Sequence, residues 1–197
     1  MAGGSPGACV VSSALWYFSR ATGIVSLVFS TAVVVLGFLN SGRFATRRWP
    51  RFALADLHRN LALASLVFLA AHIVFAVVDG YVDLSWPAVV LPFVSGYEPF
   101  WIGIGAVAVD LLLAIVVTSL LRTRIPPRLW RAVHWLAYVC WPVALAHSIG
   151  LVASDSARPL LIALDIACLL AVLAAASVRF GSTNPDTEAR RLTPLRR

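Results

Sequence analysis

The stretch LHRNLALASLVFLAAHIVFAVVD, residues 57–79, decides the class of this protein. It has the length of a bilayer-crossing helix, which needs about 20 predominantly apolar residues, yet it carries two histidines, His58 and His72. Four other stretches are as long and as apolar, at about 12–39, 99–121, 130–152 and 159–180. The helical pattern of the 57–79 stretch starts near Phe52, so that helix is expected to project beyond the bilayer. Over 197 residues, 60% are hydrophobic and 13% charged, with a mean hydropathy of +0.85. A soluble domain carries about 25% charged residues. So much apolar surface cannot all turn inward in a chain this small, which excludes a soluble enzyme with its own nucleotide-binding domain and excludes disorder. The expected fold is an all-α membrane protein, a bundle of five transmembrane helices occupying residues 12–180.

The net charge of +7 raises nucleic acid as a partner, and the placement of the charge removes it. The chain has no Lys, and 14 of its 16 Arg fall in three clusters: Arg43, Arg47, Arg48, Arg51 and Arg59; Arg122, Arg124, Arg128 and Arg131; and Arg179, Arg190, Arg191, Arg196 and Arg197. Each cluster borders an apolar run, where positive charge sets membrane orientation; phosphate tracking needs a basic face on one folded surface. The Arg-rich connections are the loops at 40–56 and 122–129 and the tail after Phe180. The positive-inside rule then places the short N-terminus, residues 1–11, outside and the tail, residues 181–197, in the cytoplasm. Helices two and four both run outward and are parallel. The first stretch is too long for a signal peptide's apolar region and lacks a basic segment before it, so it is expected to be retained. The tail is polar and Pro-containing, a composition that favours disorder.

The connection at 80–98 is the longest on the outer side and unusually apolar, with Trp86, Pro87, Pro92 and Tyr97. Two readings stand side by side: a lid over the outer helix ends, or an aromatic belt anchoring helix three. Cys9, Cys140 and Cys168 form no CxxC, and two of them lie in apolar runs, so neither a disulfide framework nor a zinc site is indicated.

All four histidines of the chain lie on two of the five helices, His58 and His72 on the second, His134 and His147 on the fourth. Ionisable residues in a membrane segment are costly and mark function by default. His58 and His72 are 14 steps apart, about 21 Å of rise and about 40° short of four full turns, so their rings leave nearly one face. His134 and His147 are 13 steps apart, about 19.5 Å. Two parallel helices thus present one His each at an inner and an outer level, pairing His58 with His134 and His72 with His147. Imidazole is a common metal ligand, and axial His is one way of holding haem iron. Two stacked His pairs match the needs of two six-coordinate haems b, in a large apolar cavity with Arg at its ends for the propionates. One feature of the spacing runs against this: on an ideal helix 13 steps leave the two rings about 140° apart. Pro142 lies between them and is expected to kink the helix.

At these residues, HRNLALASLVFLAAH (58–72) and HWLAYVCWPVALAH (134–147), the chain resembles the ferric reductase and NADPH oxidase transmembrane domain. That family pairs a 14-step spacing on one helix with a 13-step spacing on the other, unlike the quinol-oxidising cytochromes b, where both are 14. SRATG (19–23) resembles the family's Arg-bearing segment near the outer haem. The resemblance covers about residues 14–180 and is nearest to the stand-alone bacterial forms, which implies a multi-pass plasma-membrane protein. It implies a di-haem b protein, the membrane component of an oxidoreductase, passing electrons from a cytoplasmic donor to an outer acceptor such as ferric iron, oxygen or a redox protein. Larger members continue into a domain for FAD and NAD(P)H. Here residues 181–197 alone follow helix five, and no GxGxxG lies outside the apolar runs. Flavin and nicotinamide are therefore expected only through a separate flavoprotein, with the quinol pool as the alternative donor. GIG at 103–105 reads as close helix packing.

Arg20, on the outer side of helix one, is read as a cation beside the outer haem, against the plainer reading of an Arg snorkelling to headgroups. Arg59 adjoins His58 and either binds an inner propionate or counts toward inside charge. Asp110 and Asp165 either carry protons or are hydrogen-bonded to neighbouring helices. Trp16, Trp130, Trp135 and Trp141 read as belt or haem-packing aromatics. Two other functions remain open on sequence: a haem-binding sensor or assembly subunit, and a proton transporter that relays through its histidines without haem.

Overall fold

The computed structural model describes residues 6–41, 51–79, 84–152 and 157–181, with side chains at all of these except 6–13, 41 and 51. Six helices account for most of them: α1 Pro6–Ser41, α2 Arg51–Val78, α3 Pro99–Leu120, α4 Pro127–His134, α5 Ala137–Leu151 and α6 Arg158–Gly181. A short 3-10 turn covers Trp86–Val89, and no strand occurs among the described residues. Five spans are long and apolar enough to cross a membrane: Ala14–Asn40, Phe52–Val78, Pro99–Leu120, Pro127–Leu151 and Arg158–Gly181. Except at two places, these helices lie within a few residues of the apolar runs and helical patterns in the sequence. α1 starts at Pro6, inside the segment 1–11 expected to precede it. The fourth span, expected as one helix over 130–152, is α4 and α5 joined by a turn at Trp135–Leu136. The tail beyond Gly181, the loop residues 42–50 and 80–83, and 153–156 lie outside the described residues.

The bundle consists of two antiparallel hairpins with α6 against the first. In the first hairpin three contacts recur in steps of seven: Ser19 with His72, Ser26 with Ser65, and Val33 with His58. Seven residues are close to two helical turns, so the seam keeps one register along its length. At its middle the two serines bond reciprocally, Ser26 Oγ to the Ser65 carbonyl at 3.1 Å and Ser65 Oγ to the Ser26 carbonyl at 3.2 Å. Small residues let the two backbones approach this closely, and the hydroxyl bonds replace water that lipid cannot supply.

The second hairpin, α3 with α5, repeats the rule. The Trp101 carbonyl accepts from His147, and seven residues on the Ala108 carbonyl accepts from Cys140 Sγ at 3.3 Å. α6 completes a core of Leu27, Val34 and Phe38 from α1, Trp141 and Leu145 from α5, and Cys168, Val172 and Ala175. Trp141 is 5% exposed in this core. Its indole N–H donates to Thr31 Oγ1 at 3.0 Å, which gives the buried polar tip the partner it needs. Among the described residues α2 packs closely on α1, and the space between α2 and the second hairpin is a cavity.

Candidate functional site

All four histidines line that one cavity, whose volume is about 1680 Å³. Ordinary ligand pockets hold about 300–1,000 Å³, so the space exceeds what a single small molecule requires. Its two ends differ in what closes them. Leu84, Ala88, Val89 and Tyr97 of the 84–98 segment line the end near His72 and His147. Ala88 is 1% exposed. The far face of this segment shows Trp86, Leu91 and Val94 outward. The segment therefore closes this end of the cavity with one face and presents an apolar band on the other. The other end, near His58 and His134, is bordered by Asn40, Asp56, Arg59, Arg122 and Thr123; we refer to it as the arginine end.

Three of the four rings are held in the same way. His72 Nδ1 donates to the Ser19 carbonyl at 2.7 Å, His58 Nδ1 to the Val33 carbonyl at 3.0 Å, and His147 Nδ1 to the Trp101 carbonyl at 2.7 Å. A carbonyl can only accept, so each Nδ1 carries the proton and each Nε2 keeps its lone pair. Metal-binding histidines are oriented and made more basic by such a bond. Four residues beyond each acceptor stands a glycine: Gly23 after Ser19, Gly37 after Val33, Gly105 after Trp101. In an α-helix the side chain at i+4 flanks the carbonyl of residue i, and its absence opens the way for a ring from the neighbouring helix. A Cβ on Gly105 would stand 2.6 Å from the His147 ring, one on Gly23 2.8 Å from His72 Nδ1, and one on Gly37 3.8 Å from His58 Cε1. Sequence reading missed these seats, although Gly23 and Gly37 are spaced by the same 14 residues as His72 and His58. GIG at 103–105, expected as close helix packing, lets two rings onto the helix surface, Phe93 of the lid on Gly103 and His147 of α5 on Gly105.

His134 is the exception. Its Nδ1 is buried and has no hydrogen-bond partner, and its ring stacks on Trp130 with centroids 5.1 Å apart at 22°. The reason lies in the helix break. Backbone bonds from Leu136 to Val133, Tyr138 to Trp135 and Val139 to Leu136 are three-residue bonds, flanked by four-residue bonds from Trp135 to Arg131 and Cys140 to Leu136, so the chain tightens toward 3-10 winding between 134 and 139, across the turn and into the start of α5. About five of the thirteen steps then turn about 120° and rise about 2.0 Å each, while the other eight turn about 100° and rise about 1.5 Å. The total, about 1400° and 22 Å, nearly equals fourteen α-helical steps. Overwinding brings His134 and His147 to one face despite the 13-residue spacing. The adjustment lies before Pro142, which sits inside α5. The same shortening takes His134 out of the seven-residue carbonyl register, which continues through 147 and 140 to 133.

The His58 and His134 ring centroids are 6.4 Å apart. A ring with sides of about 1.33 Å has its nitrogens about 1.1 Å from its centre, and a metal–imidazole bond is about 2.0–2.1 Å, so two rings sharing one metal from opposite sides would lie about 6.3 Å apart. His72 is near enough to His147 to interact with it electrostatically. Among the described residues no cluster of three or more His, Cys, Asp or Glu could cage an ion. A planar macrocycle would supply the positions that two imidazoles leave open on a metal, and the donor set and the cavity fit haem.

The remaining polar residues divide between site and frame. Arg20 lines the cavity with its guanidinium 4.8 Å from the Trp16 ring centroid. Arg59 is exposed at the cavity rim. Asp165, 3% exposed, lines the cavity and accepts from Ser148 Oγ at 3.2 Å. Asp110 does not line it. Of the tryptophans, Trp16, Trp130 and Trp141 border the cavity, while Trp135 is 64% exposed.

The search of curated proteins and the search of solved structures gave no match. The family model described as "Ferric reductase like transmembrane component" matches residues 22–145, more than half of the chain, including His58, His72 and His134 and ending two residues before His147. The chain belongs to the family of ferric reductase-like transmembrane components.

Proposed function

We propose that this chain is a di-haem b electron-transfer protein of a bacterial plasma membrane. In this reading His58 and His134 hold one haem, and His72 and His147 hold the other. Electrons pass from a cytoplasmic donor at the arginine end to an acceptor at the lid end. The observation that carries the reading is the set of rings facing one cavity, three with Nδ1 tied to a carbonyl and Nε2 left as donor. Family membership supports membrane electron transfer. Haem, when bound, supplies a reversible one-electron couple that the protein's own side chains lack.

The chain's residues supply position, access and charge. The 14-residue and overwound 13-residue spacings keep the two His levels about 21 Å apart along the helices. The lid excludes water from the His72 and His147 level. Arg20 places positive charge at the lid end, and Arg59 and Arg122 place it at the other, where each suits an anionic propionate. The donor is a separate flavoprotein, bringing FAD or FMN and NAD(P)H chemistry, or the quinol pool. The acceptor is ferric iron, oxygen or a redox protein. The arginine clusters favour an outer N-terminus and a cytoplasmic tail.

The test is an absorption spectrum of the purified protein before and after dithionite, with haem and protein assayed together. Two haems b per chain are expected, and a protein without haem overturns the reading. Cysteine labelling in intact cells checks direction, with the 40–56 loop protected and the 80–98 loop labelled. The reverse pattern overturns the direction of flow.

A further inference from the structure

We propose, resting on the di-haem reading, that His134 is the exchangeable ligand of the four. The arginine end of the cavity then admits a small neutral ligand, of the class of carbon monoxide, to the iron in place of its ring. Three features of the chain single His134 out. Its Nδ1 has no acceptor, where the other three rings each have a carbonyl. Among the described glycines none meets its ring, where Gly23 and Gly105 seat two of the others closely and Gly37 meets His58 at 3.8 Å. It is the last residue of α4, directly before the turn at 135–136, where the other three lie within continuous helix.

Asn40, Asp56 and Thr123 border the same end without bonding the ring, and the groups stacked beside His134 offer no acceptor. The ring stacked on His134 is Trp130, whose indole N–H is likewise buried and unpartnered, and an indole nitrogen only donates. The guanidinium beyond it, Arg122, lies 5.9 Å from the Trp130 ring and also only donates. Without an acceptor nothing fixes the tautomer, so the His134 proton can sit on Nε2 and block ligation, a state closed to the three tethered rings. Loss of such an outer partner weakens a metal ligand by about 10- to 100-fold. Access is asymmetric in the same sense. The lid covers His72 and His147, while Arg59, Arg122 and Thr123 at the His134 end are exposed.

The experiment is a carbon monoxide titration of the full chain in detergent, reduced with dithionite under anaerobic conditions and followed by absorption. About half of the haem should react, with a midpoint about 10- to 100-fold below that of the remainder. In His134→Gly the reactive half should stay and its midpoint fall further, since no ring is left to displace. A second variant, His72→Leu with His147→Leu, keeps the question open to test if His134→Gly does not fold. Its single haem should react completely at the wild-type lower midpoint. No reaction in the two-haem protein, equal midpoints for both haems, a midpoint unmoved in His134→Gly, or an unreactive haem in the double variant each overturn the inference. These outcomes leave the di-haem reading standing. A preparation with no haem spectrum removes that reading, and this inference with it.

Discussion

At the lid end both histidines donate to a helix carbonyl, and each leans on a glycine within 3 Å of where its Cβ would be. At the arginine end His58 alone has a carbonyl, its glycine stands off at 3.8 Å, and His134 has neither. The two ends draw on the same two hairpins, so the difference comes from spacing. On α2 fourteen residues between histidines equal two steps of the seven-residue seam, and both rings meet a carbonyl. On the second hairpin thirteen residues are one short of that, and overwinding restores the face of the ring without restoring its carbonyl. One missing residue separates a tethered ligand from an untethered one.

The sharpest way to break this comparison is to remove ligands by level. His72→Leu or His147→Leu should each cost the lid-end haem and leave the arginine-end haem, halving haem per chain in a pyridine haemochrome assay. His58→Leu should do the converse. Equal loss of both haems in either kind of variant would show that the pairs are not stacked by level.

The glycine seats grade the same contrast. Gly105→Ala and Gly23→Ala force a methyl to 2.6–2.8 Å of a ring, and overpacking of this kind costs about 1–3 kcal/mol. Both should lower thermal stability and lose haem from the lid end. Gly37→Ala, with ordinary contact at 3.8 Å, should be nearly silent on both measurements. A Gly37→Ala protein as damaged as Gly105→Ala would remove the seat argument.

Arg20 probes charge at one end alone. A positive guanidinium favours the reduced state of a neighbouring redox centre, which carries one more electron, so Arg20→Gln should keep both haems and lower the lid-end potential. Two charges about 8 Å apart interact by about 2 kcal/mol at an effective dielectric near 20. With about 59 mV per tenfold change for one electron, the shift is tens of millivolts, with about 90 mV as its upper figure. A redox titration that finds both potentials unmoved would make Arg20 a topological anchor.

These contrasts also show what sequence could and could not reveal. Helix positions were legible because each span is long, apolar and bounded by Arg or Pro. The four histidines were legible because ionisable groups are rare in such spans. The acceptors were not, because a backbone carbonyl at Ser19, Val33 or Trp101 carries no side-chain signature. Their only trace is the glycine four residues on. Nor was the break at Trp135–Leu136 legible. The visible breaker is Pro142, yet α5 runs through it, and the overwinding that joins the two His levels is written in backbone bonds between 133 and 139.

Ser19 separates the contribution of a carbonyl from that of a side chain, and it should give the smallest effect of the variants expected to move a potential. Its carbonyl accepts from His72 Nδ1 at 2.7 Å, while its hydroxyl sits 3.3 Å from the same nitrogen and donates to the His72 carbonyl at 3.2 Å. Ser19→Ala deletes the hydroxyl and leaves the carbonyl in place, so the tautomer of His72 stays fixed. The loss is one ordinary hydrogen bond, about 0.5–1.5 kcal/mol. Only the part of it that differs between oxidation states moves the potential. Ser19→Ala should therefore keep two haems per chain, lower the melting temperature slightly, and shift the lid-end potential by less than Arg20→Gln does. If Ser19→Ala instead empties the lid end as His72→Leu should, the hydroxyl rather than the carbonyl holds the ring. The contrast between tethered and untethered histidines would then have to be redrawn around side chains that sequence does display.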